Sequence, residues 1–338
     1  MSEEFLISPE NLLTYLREHG LFESGSEVKI RELGGGVSNI VLLVEADGVR
    51  WVAKQSLGKL RVEADWHSSR ERIFREADSL EVLGPHLGES TLPSVIHRDP
   101  DHYFFIMTAA PEGSRMWKNL LLEGQVDLRI ARRAGTTLAQ LGNSAAGKES
   151  VRKRFEDRRV FDELRLDPYY RVTAARHPDL REKFGCLIAD SLEIRNGLVH
   201  GDYSPKNMLV REGGMFLIDF EVIHWGDPTF DTGFFLNHLF LKSFHGPQFA
   251  LQYFRAAREF WKGFVEGRAA QARELELMTI RHLGCLMLAR IDGKSPAEYI
   301  QDEGSKERVR NSARRIILEE PETLEDVISI VQGGLERN

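Results

Sequence analysis

Residues 200–207, HGDYSPKN, and residues 218–221, IDFE, are the two stretches that decide the expected fold of this 338-residue chain. Between them an apolar run lies on each side of a Glu-Gly-Gly turn, and this pattern predicts a β-hairpin. Such a hairpin brings Asn207 and Asp219 close together. Asp202, in the loop before the hairpin, is left facing outward.

The side chains of Asp202, Asn207 and Asp219 are suited to phosphoryl transfer. The oxygens of Asn207 and Asp219 are hard ligands of the kind that Mg²⁺ prefers, and Asp202 can accept a proton from a hydroxyl group. A loop aspartate as base, followed by an asparagine and a hairpin aspartate as metal ligands, is the arrangement of kinases. Aspartate and asparagine are also common turn residues, so a purely structural role stays open at this point. We term residues 200–207 the catalytic loop.

A glycine-rich segment, LGGGVSN, lies upstream between two strand-like runs, residues 27–33 and 39–46. The backbone N–H groups of such a turn can cover the phosphates of a nucleotide. Three glycines also make an ordinary hairpin turn, so the segment alone does not decide between these interpretations. The predicted nucleotide contacts in it are Gly35, Gly36, Val37, Ser38 and Asn39.

Lys54 lies between apolar residues on a third strand-like run, residues 49–55, where a lysine usually has a partner. Glu76, on a helix expected over residues 71–83, can supply that partner, and a solvent-facing position is the alternative for it. A Lys–Glu ion pair of this kind holds the amine over the α- and β-phosphates of a nucleotide.

The chain is expected to divide near residue 108. Residues 1–108 contain most of the strand-like runs and form a small β-rich N-terminal lobe, whereas residues 109–338 form a larger and mainly helical C-terminal lobe. The predicted fold class is therefore α+β. The connecting segment includes Met107 and Ala109, whose backbone groups are predicted to bind the edge of an adenine ring.

Helix signals are clearest at the N-terminus and in the second half of the chain. Ser8 is a good N-cap and Pro9 fits the first helical position. Helices are also expected over residues 125–141 and 179–196, and only helices are expected from about residue 229 onward.

The motif GDPTFD precedes a predicted helix and ends at Asp231. Asp231 is expected to cap this helix and to hydrogen-bond the backbone of the catalytic loop, and His200 is expected to support the same loop. His238 and Lys242, further along that helix, are candidates for contact with a substrate, and so is Arg281. Membership of an apolar core is the alternative for this part of the helix.

The composition is that of an ordinary globular protein, with 42% hydrophobic and 29% charged residues. The formal net charge of −7 does not suggest a nucleic-acid-binding protein, which usually has a basic excess. The acidic N-terminus predicts no signal peptide, and no apolar run approaches about 18 residues. We therefore expect a cytoplasmic protein with neither a nucleic-acid nor a membrane partner, in which Cys186 and Cys285 are reduced thiols.

These elements together resemble the aminoglycoside phosphotransferase and choline kinase-like family, the phosphotransferase enzyme family. The likeness runs in order from about residue 27 to residue 245, and its elements are GGGVSN, Lys54, Glu76, HGDxxxxN, IDFE and GDPxxD. It implies a bilobal protein-kinase-like fold with ATP and Mg²⁺ in the cleft. By the same likeness Asp202 is the catalytic base and Lys54 the phosphate-binding lysine. Asn207 and Asp219 are the implied metal ligands.

A narrower likeness points to methylthioribose kinases. It consists of KQ at 54–55, KLRV at 59–62 with Trp66, and FDTG at 230–233. The predicted activity is that of an ATP-dependent O-phosphotransferase, which transfers the γ-phosphate to a hydroxyl of a small metabolite or antibiotic-like molecule. A methylthioribose-type sugar kinase and a non-catalytic, nucleotide-binding kinase-like module are the alternatives.

Overall fold

The computed structural model describes residues 5–23, 25–34, 38–46, 48–61, 67–145, 147–266 and 268–336. The chain divides into two compact units, residues 1–112 (unit 1) and residues 113–338 (unit 2). The boundary predicted from the sequence lies at residue 108, the end of the last strand of unit 1. In the described parts of the chain, no helix combines the length and the apolar character needed to cross a membrane.

The described residues of unit 1 form an antiparallel sheet with two helices. Its strands are β1 (Lys29–Glu32), β2 (Asn39–Ala46), β3 (Val49–Ser56), β4 (Val95–Asp99) and β5 (Phe104–Thr108). They lie in the order β1-β2-β3-β5-β4. Helix α1 (Pro9–Glu18) precedes the sheet, and helix α2 (Arg72–Leu87) connects β3 to β4.

The capping of α1 explains why this helix begins where the sequence predicts. The Ser8 hydroxyl accepts a hydrogen bond from the Asn11 N–H at 3.3 Å, and the Asn11 side chain accepts one from the Ser8 N–H at 2.7 Å. Pro9 occupies the first turn, where no N–H is needed. Leu12 and Leu16 then bury one face of the helix in a cluster with β2 and β5.

Strand β4 is not predicted by the sequence pattern. It lies at the edge of the sheet, and its pairing with β5 is irregular between Val95 and His97. Several of its side chains are polar, and Arg98 binds Asp78 of α2 at 2.7 Å. An edge strand does not need a second apolar neighbour, so its apolar alternation is weak and easily missed.

Unit 2 is mainly helical. Its α-helices are α3 (Trp117–Leu122), α4 (Leu128–Asn143), α5 (Glu149–Phe155), α6 (Arg159–Phe161), α7 (Val172–Arg176), α8 (Arg181–Glu193), α9 (Thr229–His245), α10 (Ala250–Val265), α11 (Ala272–Asp292), α12 (Glu303–Glu319) and α13 (Leu324–Glu336). A π-helix, Asp162–Arg171, runs between α6 and α7. The helices between residues 159 and 176 are not predicted, because charged residues and Pro168 obscure their periodicity.

Short strands accompany these helices. They are β6 (Arg115–Met116), β7 (Gly197–Val199), β8 (Met208–Arg211), β9 (Gly214–Leu217) and β10 (His224–Gly226). Strands β6, β8 and β9 form one antiparallel sheet, with Met208 opposite Leu217, and β7 pairs with β10. The predicted hairpin is therefore present as β8 and β9. From residue 229 onward the described residues contain helices and turns but no strand, as the sequence predicts.

Helix α9 is the centre of unit 2, since every residue from Thr229 to Phe244 is buried. A helix that packs on all sides is normally apolar around its whole circumference. Helix α9 packs against α10 and α11, but its sequence includes Asp231, His238 and Lys242. Buried polar groups need partners, so these residues mark places where the interior of unit 2 is not a simple apolar core.

Two glycines bring α4 and α10 into backbone contact. A Cβ atom at Gly135 would overlap the carbonyl oxygen of Phe260, and one at Gly263 would overlap the carbonyl oxygen of Arg132. A backbone carbonyl cannot turn aside as a flexible side chain can. The two helices could therefore accept a side chain here only by moving apart.

Replacing either glycine is expected to destabilise the protein. Gly135→Ala and Gly263→Ala should each lower the free energy of unfolding by about 1–3 kcal/mol or more, because the helices must separate. Gly185→Ala in α8 is the matched control, because nothing lies within 4 Å of the added Cβ. This control should raise the free energy of unfolding by about 0.5–1 kcal/mol. Urea denaturation followed by circular dichroism measures the free energy of unfolding of the three variants. The same change in all three would contradict the close contact between α4 and α10.

Candidate active site

The catalytic loop is anchored to α9 by a buried carboxylate. The N–H groups of His200 and Gly201 donate to the two carboxylate oxygens of Asp231, at 2.6 and 2.9 Å. Burial raises the pKa of Asp231 to about 7, although the two hydrogen bonds act in the opposite direction. The contact that the sequence predicts between Asp231 and the loop backbone is therefore present.

The predicted capping of α9 by Asp231 is wrong. The side chain of Asp227 accepts hydrogen bonds from the N–H and the hydroxyl of Thr229, at 2.9 and 2.7 Å, at the start of the helix. Asp231 lies in the first turn of α9 with both oxygens bonded to the catalytic loop. A carboxylate used in this way is not available to the end of its own helix.

The buried imidazole of His200 connects the catalytic loop to the hairpin. Its Nδ1 accepts the N–H of Asp202 at 3.2 Å, so Nε2 carries the hydrogen and donates to the carbonyl of Ile218 at 3.2 Å. Burial lowers the pKa of His200 to about 4, and the ring is therefore neutral at neutral pH. One neutral ring thus sets the spacing between the loop and the residue before Asp219.

Asp202 is buried beside two cations. Its Oδ2 lies 3.0 Å from Nη2 of Arg165 and 2.8 Å from Nζ of Lys206. Burial opposes the ionisation of Asp202, but the attraction of Lys206 and Arg165 outweighs it and holds the pKa below its ordinary value. The side chain is therefore a carboxylate at neutral pH and can accept a hydrogen bond from a hydroxyl group.

Arg165 belongs to the site although no sequence motif indicates it. It lies in the π-helix, where its Nε donates to the carbonyl of Gly201 at 2.5 Å, and its guanidinium carbon lies 5.6 Å from the centre of the Phe234 ring. The signal available in the sequence is an arginine between Leu164 and Leu166. Arginines are seldom buried unless they are paired, so this position indicates a buried acceptor. Irregular helices of this kind are frequent at functional sites.

Asn207 and Asp219 are brought together by the first rung of the hairpin. The Ile218 N–H donates to the Asn207 carbonyl at 3.0 Å. The Asn207 side-chain N–H donates to the Asp202 carbonyl at 2.9 Å, which leaves the side-chain oxygen available as a ligand. Asp219 has a φ of 69°, a left-handed conformation that is uncommon outside glycine. Such backbone strain is often found at functional sites.

The side-chain oxygens of Asn207 and Asp219 fit a hard cation such as Mg²⁺. Among the described residues, no group of three or more His, Cys, Asp and Glu side chains could hold a metal ion. A cation at this place would therefore need further oxygens from water and from the phosphates of a nucleotide, which is the usual mode of Mg²⁺ binding.

Unit 1 contains the predicted Lys–Glu ion pair. Nζ of Lys54 lies 2.6 Å from Oε2 of Glu76, and the side chains have exposed fractions of only 6% and 1%. Lys54 lies on β3 between Val41 of β2 and Phe105 of β5, while Glu76 lies on α2. The sheet and the helix therefore fix the ammonium group in one direction.

The structure describes part of the segment predicted to cover phosphates. Ser38 and Asn39 are described: Asn39 begins β2, and the Ser38 carbonyl accepts a hydrogen bond from Arg72 at 2.5 Å. Their contacts with nucleotide stay a prediction. The sequence-predicted positions that lie outside the described residues are Gly35, Gly36, Val37, Val62 and Trp66.

Met107 and Ala109 are placed at the end of β5. Met107 is buried and lies opposite Val52 of β3, and the Ala109 N–H donates to the Arg50 carbonyl at 2.9 Å. An adenine contact through the Ala109 N–H would require this hydrogen bond to be exchanged. Adenine binding by these two residues stays a prediction.

The predicted substrate residues do not all lie together. His238 and Lys242 are buried on α9. Arg281 on α11 is exposed and forms an ion pair with Asp190 of α8 at 2.7 Å. The buried arginine of α11 is instead Arg290.

An antiparallel β unit with a buried Lys–Glu pair, followed by a helical unit with an HGD loop and a β-hairpin, defines the class of kinase-like phosphotransferases. The chain belongs to the phosphotransferase enzyme family, whose model matches residues 29–271. This match confirms the predicted family and the predicted reaction class.

Methylthioribose kinases are among the proteins to which this chain is similar. The enzyme of Klebsiella pneumoniae (strain 342) is 25% identical over 312 residues, and the match covers 81% of this chain and 78% of that protein. The enzyme of Escherichia coli O45:K1 (strain S88 / ExPEC) is 26% identical over 249 residues, with 65% of this chain covered. The match spans 59% of the length of that E. coli protein.

A solved structure shares the fold across nearly the whole chain. An amicoumacin kinase in complex with AMP-PNP, Ca²⁺ and Ami superposes with a TM-score of 0.59 at 13% identity. The superposition covers 94% of this chain and 96% of that chain. This likeness confirms the predicted α+β, protein-kinase-like fold.

Acidification is expected to destabilise the protein through His200. Between the ordinary histidine pKa of 6.5 and the folded-state pKa of about 4, the unfolded chain binds a proton that the folded protein excludes. The contribution of His200 to the free energy of unfolding therefore falls as the pH falls through this window, by about 3 kcal/mol for the full shift. His200→Asn, which can still accept the Asp202 N–H, is expected to lose less stability between about pH 7 and about pH 4.5.

Urea denaturation at the two pH values measures this difference. Asp231 titrates in the opposite sense over the same range, because its pKa is raised to about 7, so only the comparison with wild type isolates His200. His86→Asn, at an exposed position on α2, is the control for the loss of a histidine. An identical loss in wild type and in His200→Asn would contradict a neutral buried ring.

Proposed function

We propose that this protein transfers the γ-phosphoryl group of ATP to a hydroxyl group of a small molecule, with Asp202 accepting the hydroxyl proton. The observation that carries the proposal is the buried Asp202 carboxylate, held by Arg165 and Lys206. Membership of the phosphotransferase enzyme family supports it. The nucleotide analogue and divalent cation bound by the amicoumacin kinase support ATP and a divalent metal as cofactors.

Asp202 orients the acceptor by taking a hydrogen bond from its hydroxyl group. A carboxylate with a lowered pKa is a weak base before reaction, but the hydroxyl proton becomes acidic as the bond to phosphorus forms. Phosphoryl transfer passes through a loose transition state, so positioning matters more than basicity. Arg165 contributes to this positioning because it binds both the Asp202 carboxylate and the Gly201 carbonyl.

Asn207 and Asp219 would hold Mg²⁺ through their side-chain oxygens. When bound, Mg²⁺ supplies positive charge that neutralises the phosphate oxygens during transfer. Asn207 also fixes the position of the metal ligands relative to the proposed base, because its side-chain N–H donates to the Asp202 carbonyl. The left-handed backbone of Asp219 sets the direction of the second ligand.

Lys54 would neutralise the α- and β-phosphates of the nucleotide. Its ion pair with Glu76 fixes the direction of the ammonium group within unit 1. Backbone N–H groups at Ser38 and Asn39 are proposed to contribute to the covering of the phosphates. Both contributions act electrostatically, which is the main source of catalysis in this class of reaction.

Phosphorylation of methylthioribose is a second candidate. The relatives from Klebsiella and E. coli carry this activity in their names at 25% and 26% identity. The FDTG motif of the narrower likeness lies in the first turns of α9 and contains Asp231, the anchor of the catalytic loop. Turnover of methylthioribose, with other hydroxyl compounds inert, would favour this candidate.

The role of Asp202 is tested by Asp202→Asn. The amide keeps the size of the side chain but can neither carry a charge nor accept the proton. We expect kcat to fall by about 10²–10⁴-fold, the usual contribution of a general acid–base group. ADP release, measured against a panel of neutral, cationic and anionic hydroxyl compounds, is the readout.

Glu212→Gln, in the exposed turn of the neighbouring hairpin, is the matched control and is expected to keep wild-type turnover. A wild-type rate for Asp202→Asn with the best acceptor would refute the proposed role. If wild type binds ATP but phosphorylates no compound of the panel, the protein is better described as a nucleotide-binding module without catalysis.

The metal ligands are tested by Asp219→Asn, because asparagine tolerates the left-handed backbone but loses the charge. ATP with Mg²⁺ is expected to raise the melting temperature of wild type, since a ligand that binds only the folded state stabilises it. The Mg²⁺-dependent part of this increase should disappear in the variant. Differential scanning fluorimetry with ATP, with Mg²⁺ or with EDTA, measures both, and a Mg²⁺-dependent shift equal to that of wild type would contradict the assignment.

A further inference from the structure

Among the described residues of unit 2, the buried basic side chains of Lys242 and Arg290 form no ion pair with a carboxylate. Lys242 on α9 and Arg290 on α11 have exposed fractions of 1% and 8%. Within the described residues, Lys242 donates to the His238 carbonyl at 3.2 Å, Arg290 donates to the oxygen atoms of Ser295, and neither forms an ion pair. A buried charge costs free energy unless an opposite charge compensates it.

Polar atoms beside these cations also lack partners. Nε2 of His238, Nε of Arg290 and the hydroxyl of Tyr299 are buried and make no hydrogen bond to a described residue. Lys242 lies beside Tyr299, since its Nζ is 5.0 Å from the centre of the Tyr299 ring. The same Nζ donates to the backbone carbonyl of His238, one turn earlier on α9. Buried polar groups are nearly always hydrogen-bonded, so several such atoms at one place indicate a missing partner.

Positive charges converge on His238. Burial lowers the pKa of His238 well below its ordinary value, and the charges of neighbouring basic residues lower it further. These residues are Lys242, Arg290, Lys206 and Lys118. Burial likewise lowers the pKa of Lys242 to about 7, with contributions from Lys118 and Arg290, and the attraction of Glu298 only partly opposes this shift. Groups that oppose each other's protonation in this way form one electrostatic cluster, which an anion would relieve.

The cluster reaches the catalytic loop through Tyr169. Nη1 of Arg290 lies 3.4 Å from the Tyr169 hydroxyl. The centre of the Tyr169 ring lies 5.9 Å from the guanidinium carbon of Arg165, which pairs with Asp202. Tyr169 therefore connects Arg290 of the cluster to Arg165, which pairs with the proposed base.

Among the described residues, the carboxylates near this cluster are shared by several basic side chains. Asp202 is paired with its two cations. Glu298 is paired with Lys118 and also attracts Lys242 and Arg290, so one carboxylate faces three basic side chains. Positive charge is therefore in excess at this place, although the whole chain has a formal net charge of −7. The local excess is therefore positive in a protein that is acidic overall.

We propose that the acceptor is a hydroxylated anion, whose carboxylate or phosphate ester is bound by Arg290 and Lys242. His238 and Tyr299 supply hydrogen bonds to the same group. This inference rests on the proposed phosphotransferase function and names its class of substrate. A cationic amine would meet positive charge at this place, and a neutral sugar would leave both cations uncompensated.

The charge of the acceptor is tested first on wild type with matched probes. ATP turnover is measured with glycerate against glycerol and with ribose 5-phosphate against ribose, while choline and methylthioribose are the cationic and neutral references. We expect kcat/KM to be at least about 10-fold higher for the anionic member of a reacting pair, because charged hydrogen bonds are the strong ones. The glycerate pair reports on a carboxylate and the ribose pair on a phosphate ester.

Binding is tested separately from turnover. Thermal shifts of protein saturated with Mg²⁺ and AMP-PNP are recorded with glycerate and with ribose 5-phosphate, so that the phosphate sites of the nucleotide are already filled. Arg290→Gln and Lys242→Met are expected to weaken binding of the anionic probe by about 10- to 100-fold. Arg290→Lys, which keeps the charge, should restore part of the affinity and shows that the loss does not come from misfolding.

Arg273→Gln is the matched control, because Arg273 lies on the same helix but is exposed and pairs with Glu322. This variant should bind the anionic probes as wild type does. Anion binding that depends on Arg290, without turnover of any probe, would support the anion site and count against the phosphotransferase function.

Preferred turnover of glycerol, ribose, choline or methylthioribose would overturn the anionic class and leave the phosphotransferase function standing. Neither binding nor turnover with any probe would overturn both. Equal loss of anion binding in Arg273→Gln and Arg290→Gln would also overturn the site, since it would show a general effect of surface charge.

Discussion

The buried carboxylate of Asp231 is the constraint on which the candidate site depends. It binds two successive backbone N–H groups of the catalytic loop and lies on α9, the buried centre of unit 2. His200 of the same loop hydrogen-bonds the carbonyl of Ile218 and so fixes the hairpin relative to the loop. The proposed base and the proposed metal ligands are therefore positioned by the core and not by a mobile surface loop. The arrangement lowers the free energy of unfolding at neutral and higher pH, because burial raises the pKa of Asp231 to about 7.

The two units treat buried charge differently. In unit 1 the Lys54 ammonium meets the Glu76 carboxylate and the pair is neutral. In unit 2 the Asp202 carboxylate meets two cations, and further positive charge continues beyond it at Lys242 and Arg290. The charges of a buried ion pair compensate each other, whereas excess buried positive charge destabilises the protein unless an anion binds to it. The excess positive charge of unit 2 is therefore consistent with the proposed anion-binding site.

Local signals in the sequence account for what could be predicted. Turns and helix caps are short-range structures, so a few neighbouring residues determine them. This is why the sequence predicts the cap at Ser8, the turn of the hairpin and the HGD loop. The contact of Asp231 with the loop was predicted from its place near the start of a helix, which is also a local signal. The capping of α9 was predicted wrongly because Asp227 and Asp231 precede or begin the same helix and only the fold decides which one turns inward.

Contacts between distant segments could not be predicted. Arg165 and Arg290 look like any other arginine in the sequence, and Arg281 is on the same helix as Arg290 but forms a surface ion pair. Which face of α11 is buried depends on how α9 and α12 pack against it, and this is not encoded in the periodicity of α11 alone. The cationic cluster is a property of packing, so only the three-dimensional structure shows it.

The π-helix at Asp162–Arg171 limits how this protein can tolerate changes in length. A π-helix holds one more residue in each hydrogen-bonded turn than an α-helix, so it is sensitive to insertion and deletion in a way that surface loops are not. Removing one residue before Arg165 would allow ordinary helical winding and would rotate Arg165 and Tyr169 away from the directions in which they meet Asp202 and Arg290. We therefore expect point substitutions in this segment to be tolerated more readily than changes in its length.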